Sequence, residues 1–170
     1  AASMTLDMGN TDKLQVFRDE AVRLGIKVVA PSVNSGSTEF TVAEGAIHYT
    51  LAALKNVGVG AIQHLVEERK QNGRFSSLGE FARRVQGSHV NKRALESMAK
   101  AGAFDCFTGN RAQVLAGVET LLAFSSRAAV EKEGGQNDLF GGVAAAADEL
   151  TLPYREAWLP MERLAQEFEA

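Results

Sequence analysis

Leu54-Lys55-Asn56-Val57-Gly58-Val59-Gly60-Ala61-Ile62 is the stretch on which the reading of this chain turns. Two glycines bracket an apolar residue, with a short apolar helix expected before them and an amphipathic helix after. Gly58 and Gly60 are expected to let the backbone turn tightly and to leave no Cβ between it and a bound anion. The N–H groups that open the following helix have no partner within it. They point outward, where the helix dipole favours negative charge. Lys55 adds a cation nearby, and Val57, Val59 and Ala61 complete the turn. A plain glycine-rich helix connection would use the same residues.

Working downstream, Ile62, Leu65, Val66 and Arg69 fall on one side of a helix expected over 60–71. Ser77-Leu78-Gly79-Glu80 has the form of a capping box ahead of Phe81, Ala82 and Val85. Asn91 is expected to cap a helix carrying Leu95, Met98 and Ala99, with Gly102 at its end. Asn110 opens a longer helix with Val114, Val118, Leu121 and Leu122 inward, fading near Gly134-Gly135. A final helix begins at Pro160 and carries Met161, Leu164 and Phe168.

Upstream, 12–24 reads as a helix with Leu14, Phe17, Ala21 and Leu24 on one face. Asp12 and Gln15 resemble its capping box, and Gly25 stops it. A short strand over 26–30 ends at Pro31. Residues 39–42 and 46–49 alternate around Glu44-Gly45 as a β-hairpin, with Phe40 and Val42 on one face and Ile47 and Tyr49 on one face. The expected fold is mainly α, with a small β-hairpin near the N-terminal third. Its expected divisions are an extension or cut point over 1–11, a helix with short strands over 12–52, and an anion-gripping helical region over 53–133. A flexible tail over 134–150 and a linker with a helix over 151–170 complete it.

Composition is ordinary for a globular chain, with 45% hydrophobic and 23% charged residues. No apolar run approaches the ~20 residues of a membrane span. A single cysteine, Cys106, excludes an internal disulfide framework and fits a reducing cytoplasm. The net charge is −3, yet Lys55 to Lys100 holds nine Lys/Arg against four Glu. A basic middle between acidic flanks suits one phosphate-facing surface, although solvated helical faces would give the same balance.

The Leu54–Ile62 stretch resembles the helix-hairpin-helix motif, which holds the DNA backbone without reading sequence. A weaker copy is Ala101-Gly102-Ala103-Phe104, which lacks the paired glycines and reads equally as a helix C-cap. Arg74, Arg83, Arg84, Lys92 and Arg93 are candidate phosphate contacts around either turn. Gln136-Asn137-Asp138-Leu139-Phe140, in the expected tail, resembles the bacterial sliding-clamp-binding pentapeptide. Leu139 and Phe140 would anchor in an apolar pocket and Gln136 would hydrogen-bond at its rim. The alternative is that both fold back onto the helices. His48, His64 and His89 are not spaced as metal ligands, and Asp105 has no second carboxylate nearby in sequence to share two metals. No catalytic site is expected.

Several stretches together resemble the bacterial DNA polymerase III alpha subunits, the family-C replicative polymerases. They are residues 20–34, Ala53-Leu54-Lys55-Asn56-Val57-Gly58, Gly73-Arg74-Phe75-Ser76-Ser77-Leu78, Asn91-Lys92-Arg93-Ala94-Leu95, Gly102-Ala103-Phe104-Asp105 and Gln136 to Phe140. The resemblance implies the later fingers and the helix-hairpin-helix region, just short of an oligonucleotide-binding fold. It places the polymerising carboxylates and their two magnesium ions upstream, so no cofactor is expected here. Duplex primer-template DNA, the sliding clamp and the remaining polymerase domains are the implied partners. Ala30-Pro31-Ser32 departs from the family's Pro-Pro-Asp, and Thr50-Leu51 from its Gly-Leu, so no substrate role is assigned to that loop. The rival readings are a clamp-binding adaptor without DNA affinity and the DNA-binding module of a nuclease.

Overall fold

Asn10 sets the first long helix in the computed structural model, which describes residues 1–85, 90–134 and 150–170. Its side chain accepts the Lys13 N–H at 3.1 Å. The cap of α2 (Thr11–Arg23) is therefore Asn10, not the expected Asp12–Gln15 pair. Gly25 ends the helix at φ +72°. Ahead of it lies α1 (Ala2–Leu6), whose Met4 is 2% exposed. Residues 1–11 were expected as an extension, yet Met4 packs with Leu14, Ala21, Phe40 and Ile47 into a small core.

That core is covered by three short strands, β1 (Lys27–Val29), β2 (Thr41–Ala43) and β3 (Ala46–His48), in the order β1-β3-β2. The expected hairpin forms, with Val42 opposite Ile47 and both Glu44 and Gly45 at positive φ. A two-residue turn with that handedness matches the strand twist. β1 joins the other side of β3 in parallel, Val28 opposite Ile47. Phe40 and Val42 do not share a face, because Phe40 lies just before the ladder. There its N–H is held by Thr5 Oγ1 at 3.2 Å and its ring meets Tyr49 edge-on at 4.8 Å. Val42 is left 65% exposed.

Tyr49 packs against this core and against a larger helical one. A 3-10 turn (Leu51–Ala53) leads to α3 (Val59–Asn72), α4 (Leu78–Arg84), α5 (Lys92–Ala101), α6 (Arg111–Ala116) and α7 (Val118–Gly134). Phe75, Phe81 and Phe104 stack edge-to-face at the centre, with centroids 5.3 and 5.1 Å apart. The expected caps form at Ser77, Asn91 and Asn110. The capping box at Ser77 is displaced by one residue, since the Glu80 carboxylate returns to Ser76 N–H and its hydroxyl. The long helix expected from Asn110 is broken at Gly117, where a Cβ would stand 2.6 Å from the Leu152 side chain.

The loop after Pro31 is a strap through this core. Val33 is fully buried, and Arg69 donates to the carbonyls of Val33 and Gly36, both at 2.9 Å. Asn34 and the Phe75 backbone exchange two hydrogen bonds at 2.9 Å. The last helix, α8 (Pro160–Glu169), buries none of its residues and rests against α5. No helix among the described residues is long and apolar enough to cross a membrane.

Candidate nucleic-acid interface

The turn from Leu54 to Ala61 is anchored by its apolar residues. Leu54 and Val57 are buried in the helical core, while Lys55, Asn56, Gly58, Val59 and Gly60 are exposed. What precedes it is a single 3-10 turn and not the expected short helix. The left-handed residue is Asn56, at φ +62°, a conformation its short polar side chain tolerates. Gly58 sits at φ −75°, ψ 141°, which any residue adopts. The glycines therefore do not make the tight bend that the sequence reading assigned to them. They strip the exposed surface instead, since a Cβ on Gly58 or Gly60 would have open space around it.

Gly58 begins α3 with no side-chain cap. Asn10, Ser77, Asn91 and Asn110 each place an oxygen on the N–H groups of their own helices. The first-turn N–H groups of the fourteen-residue α3 are left to solvent, beside a bare glycine surface. That arrangement suits a phosphate oxygen, which takes several N–H donors at once and meets the positive end of the dipole.

The expected cations are distributed differently. Lys55 does not extend toward the open glycine face. Its Nζ lies 3.4 and 3.2 Å from the carbonyl oxygens of Phe168 and Glu169 at the end of α8. Arg84 is turned inward: Nε reaches Glu68 at 2.9 Å, Nη1 reaches Glu80 at 2.8 Å, and Nη2 reaches the Gly73 carbonyl at 2.8 Å. Its guanidinium also stacks 4.3 Å above Phe75. Arg84, expected as a phosphate contact, thus has its donors engaged within the fold. Arg83 lies over the Phe124 ring at 5.0 Å, Lys92 pairs with Glu119 at 2.5 Å, and Arg93 is exposed on the first turn of α5.

At Ala101-Gly102-Ala103-Phe104 the C-cap alternative prevails. Gly102 is left-handed at φ +83°, and Ala103 and Phe104 are buried. A Cβ at Gly102 would run into the Arg111 guanidinium, so no open backbone surface exists there. Arg111 was missed from sequence. Only 4% exposed, it grips Asp105 through Nε at 2.9 Å and Nη2 at 2.7 Å, and Glu167 of α8 through Nη1 at 2.6 Å. No sequence spacing signals a contact 56 residues away. Gln136 to Phe140 and His89 lie outside the described residues. Among the described residues no group of three His, Cys, Asp or Glu could hold a metal ion.

Comparison with known proteins agrees with this geometry. Residues 25–114 match the family model described as the helix-hairpin-helix motif. Over 170 residues, all of this chain, it is 42% identical to the DNA polymerase III subunit alpha of Caulobacter vibrioides, covering 15% of that protein. It is 38% identical over 167 residues to the Xylella fastidiosa subunit (96% of this chain, 14% of the relative). The Thermus aquaticus subunit is 39% identical over 159 residues (89% of this chain, 13% of the relative). The chain thus spans about one-seventh of the length of these relatives. A match that runs the length of the chain, and a family model that includes the bare turn, make it a member of the helix-hairpin-helix family in the form carried by the DNA polymerase III alpha subunits.

Proposed function

We propose that this chain grips the backbone of duplex DNA through the turn at Lys55–Ala61, as a non-catalytic segment of a replicative polymerase alpha subunit. The observation that carries the reading is the uncapped, side-chain-free start of α3 at Gly58 and Gly60. Backbone N–H groups aimed at phosphate hold a duplex in register without choosing its sequence, which is what a moving polymerase requires. Nucleotide addition and its magnesium ions belong, on this reading, to parts of the longer relatives outside this chain.

Gly58→Val/Gly60→Val tests it. A Cβ at either position has open space around it, so the variant should remain folded while losing retention of a labelled duplex at low salt. Affinity of the unaltered chain should also fall steeply with salt, as phosphate contacts require. Equal DNA retention by both chains would remove the turn from the interface.

Gln136 to Phe140 supports a second attachment, to the sliding clamp, carried by the sequence pattern alone. Burial of Leu139 and Phe140 in an apolar clamp pocket would contribute a few kcal/mol, roughly 1.5–3 for each side chain. Calorimetric titration against a purified bacterial clamp should show micromolar binding that Leu139→Ala/Phe140→Ala abolishes. An adaptor without DNA affinity would pass this titration and be indifferent to the glycine substitutions.

A further inference from the structure

Arg111, 4% exposed, stands where α5, α6 and α8 meet. Its Nε and Nη2 hold the Asp105 carboxylate at 2.9 and 2.7 Å, and its Nη1 donates to the Lys100 carbonyl at 3.1 Å. Those partners all lie between α5 and α6. Nη1 also reaches Glu167 of α8 at 2.6 Å, and Arg163 of α8 returns to Asp105 at 3.4 Å. On α8 itself, Arg163 and Glu167 are paired one turn apart at 3.4 Å. Four charges of alternating sign close a quartet, two on the core and two on the helix. No apolar seal surrounds it: α8 buries none of its residues, and Met161 and Leu164 are 76% and 42% exposed. Lys100 and Lys55 meet the same helix through polar contacts as well.

We propose that this quartet is a reversible latch, and that α8 is an arm which docks on the α5–α6 corner through charge and leaves it as a unit. Each half of the quartet stays paired when the halves part. A buried arginine stripped of its partner would hold the arm shut, because an uncompensated buried charge is strongly destabilising. Arg111 escapes that penalty, since Asp105 and the Lys100 carbonyl keep Nε, Nη1 and Nη2 engaged when Glu167 withdraws. Glu167 and Arg163 retain one another across a helical turn. Only the two cross pairs are made and broken, and their carboxylates are open enough to solvent to be screened by salt. With no residue of α8 buried, little hydrophobic attraction holds the arm once those pairs are screened. None of the four charges belongs to the turn at Gly58 and Gly60.

The test uses the whole chain without DNA and reads Trp158, the single tryptophan, which is half-buried two residues before α8. Sodium chloride is raised from about 0.1 M to about 1 M, over which the screening length falls from roughly 10 Å to roughly 3 Å. Trp158 emission should shift to the red and become more open to a soluble quencher, while the main thermal transition stays in place. Glu167→Gln removes the cross pair with Arg111 and leaves the Arg111–Asp105 pair intact. It should favour release about two- to fivefold, the scale of one exposed ion pair, and so lower the salt midpoint. Glu39→Gln, an equal change of charge far from the quartet in sequence and bonded to none of its members, should leave that midpoint unchanged. A Trp158 signal indifferent to salt, or a Glu167→Gln profile no different from that of Glu39→Gln, overturns the latch. So does a main thermal transition that falls together with the Trp158 signal, since α8 would then be part of the cooperative core.

Discussion

Glu80 shows how a single carboxylate can be read for residue chemistry and then placed by the fold. The sequence marks it as the far member of a capping box with Ser77, and Ser77 Oγ does accept the Glu80 N–H at 3.1 Å. Its own carboxylate, however, takes the side chain and backbone N–H of Ser76 and one arm of Arg84. These contacts, the Ser76 hydroxyl first, lower its pKa from 4.5 to about 2. A depressed carboxylate stabilises the fold fully above its ordinary value and loses that contribution as pH falls toward 2. Thermal melts of the unaltered chain and of Glu80→Gln should therefore differ most at neutral pH. The gap should narrow between pH 4.5 and 2; a constant gap across that window would show that the carboxylate charge contributes nothing. Arg84, on the same network, read from sequence as a phosphate contact. Its burial depends on Glu68 and Phe75 from other elements, which no local pattern announces.

At the scale of elements, two glycines separate cost from function. Gly36 sits where the buried strap crosses the 3-10 turn, and a Cβ there would be 2.7 Å from the Ser32 carbonyl and 2.8 Å from Leu51. Gly36→Ala should destabilise the chain by about 1–3 kcal/mol in chemical denaturation, the usual scale of overpacking. Gly60 lies in the first turn of α3 with nothing near its missing Cβ. Gly60→Ala should therefore stabilise the helix by about 0.5–1 kcal/mol, because alanine restricts the unfolded chain and favours the helix. A measured loss of stability would mean that the turn needs glycine for its own folding. Retaining a glycine where alanine is more stable is the expected signature of a surface kept bare for a ligand. The helices at Asn91 and Asn110 were legible because their caps are local in sequence. The break at Gly117 was not, and the side chain that leaves no room for a Cβ there, Leu152, lies far along the chain.

Over the whole molecule, two cores of unequal size meet at Tyr49. The smaller is built from Met4, Leu14, Ala21, Phe40 and Ile47 beneath three-residue strands, two of them edges. The larger holds the phenylalanine stack and the buried strap. Local opening follows buried apolar contact, so amides of β1 and β3 should exchange with solvent well before those of α5 in native-state hydrogen exchange. Equal protection in the two regions would show that the cores unfold as one unit. By itself the sequence determined α2 to α5 and α8, the caps at Ser77, Asn91 and Asn110, the β-hairpin and the exposed turn at Gly58 and Gly60. These follow from periodicity and from residues within four positions of one another, where local sterics and hydrogen bonding dominate. Only the tertiary structure decided the parallel pairing of β1 with β3, the inward turn of Arg84 and the capture of Lys55 by α8. Each of those joins residues far apart in the chain, where the partner that satisfies a charge or a backbone edge is fixed by packing and not by spacing.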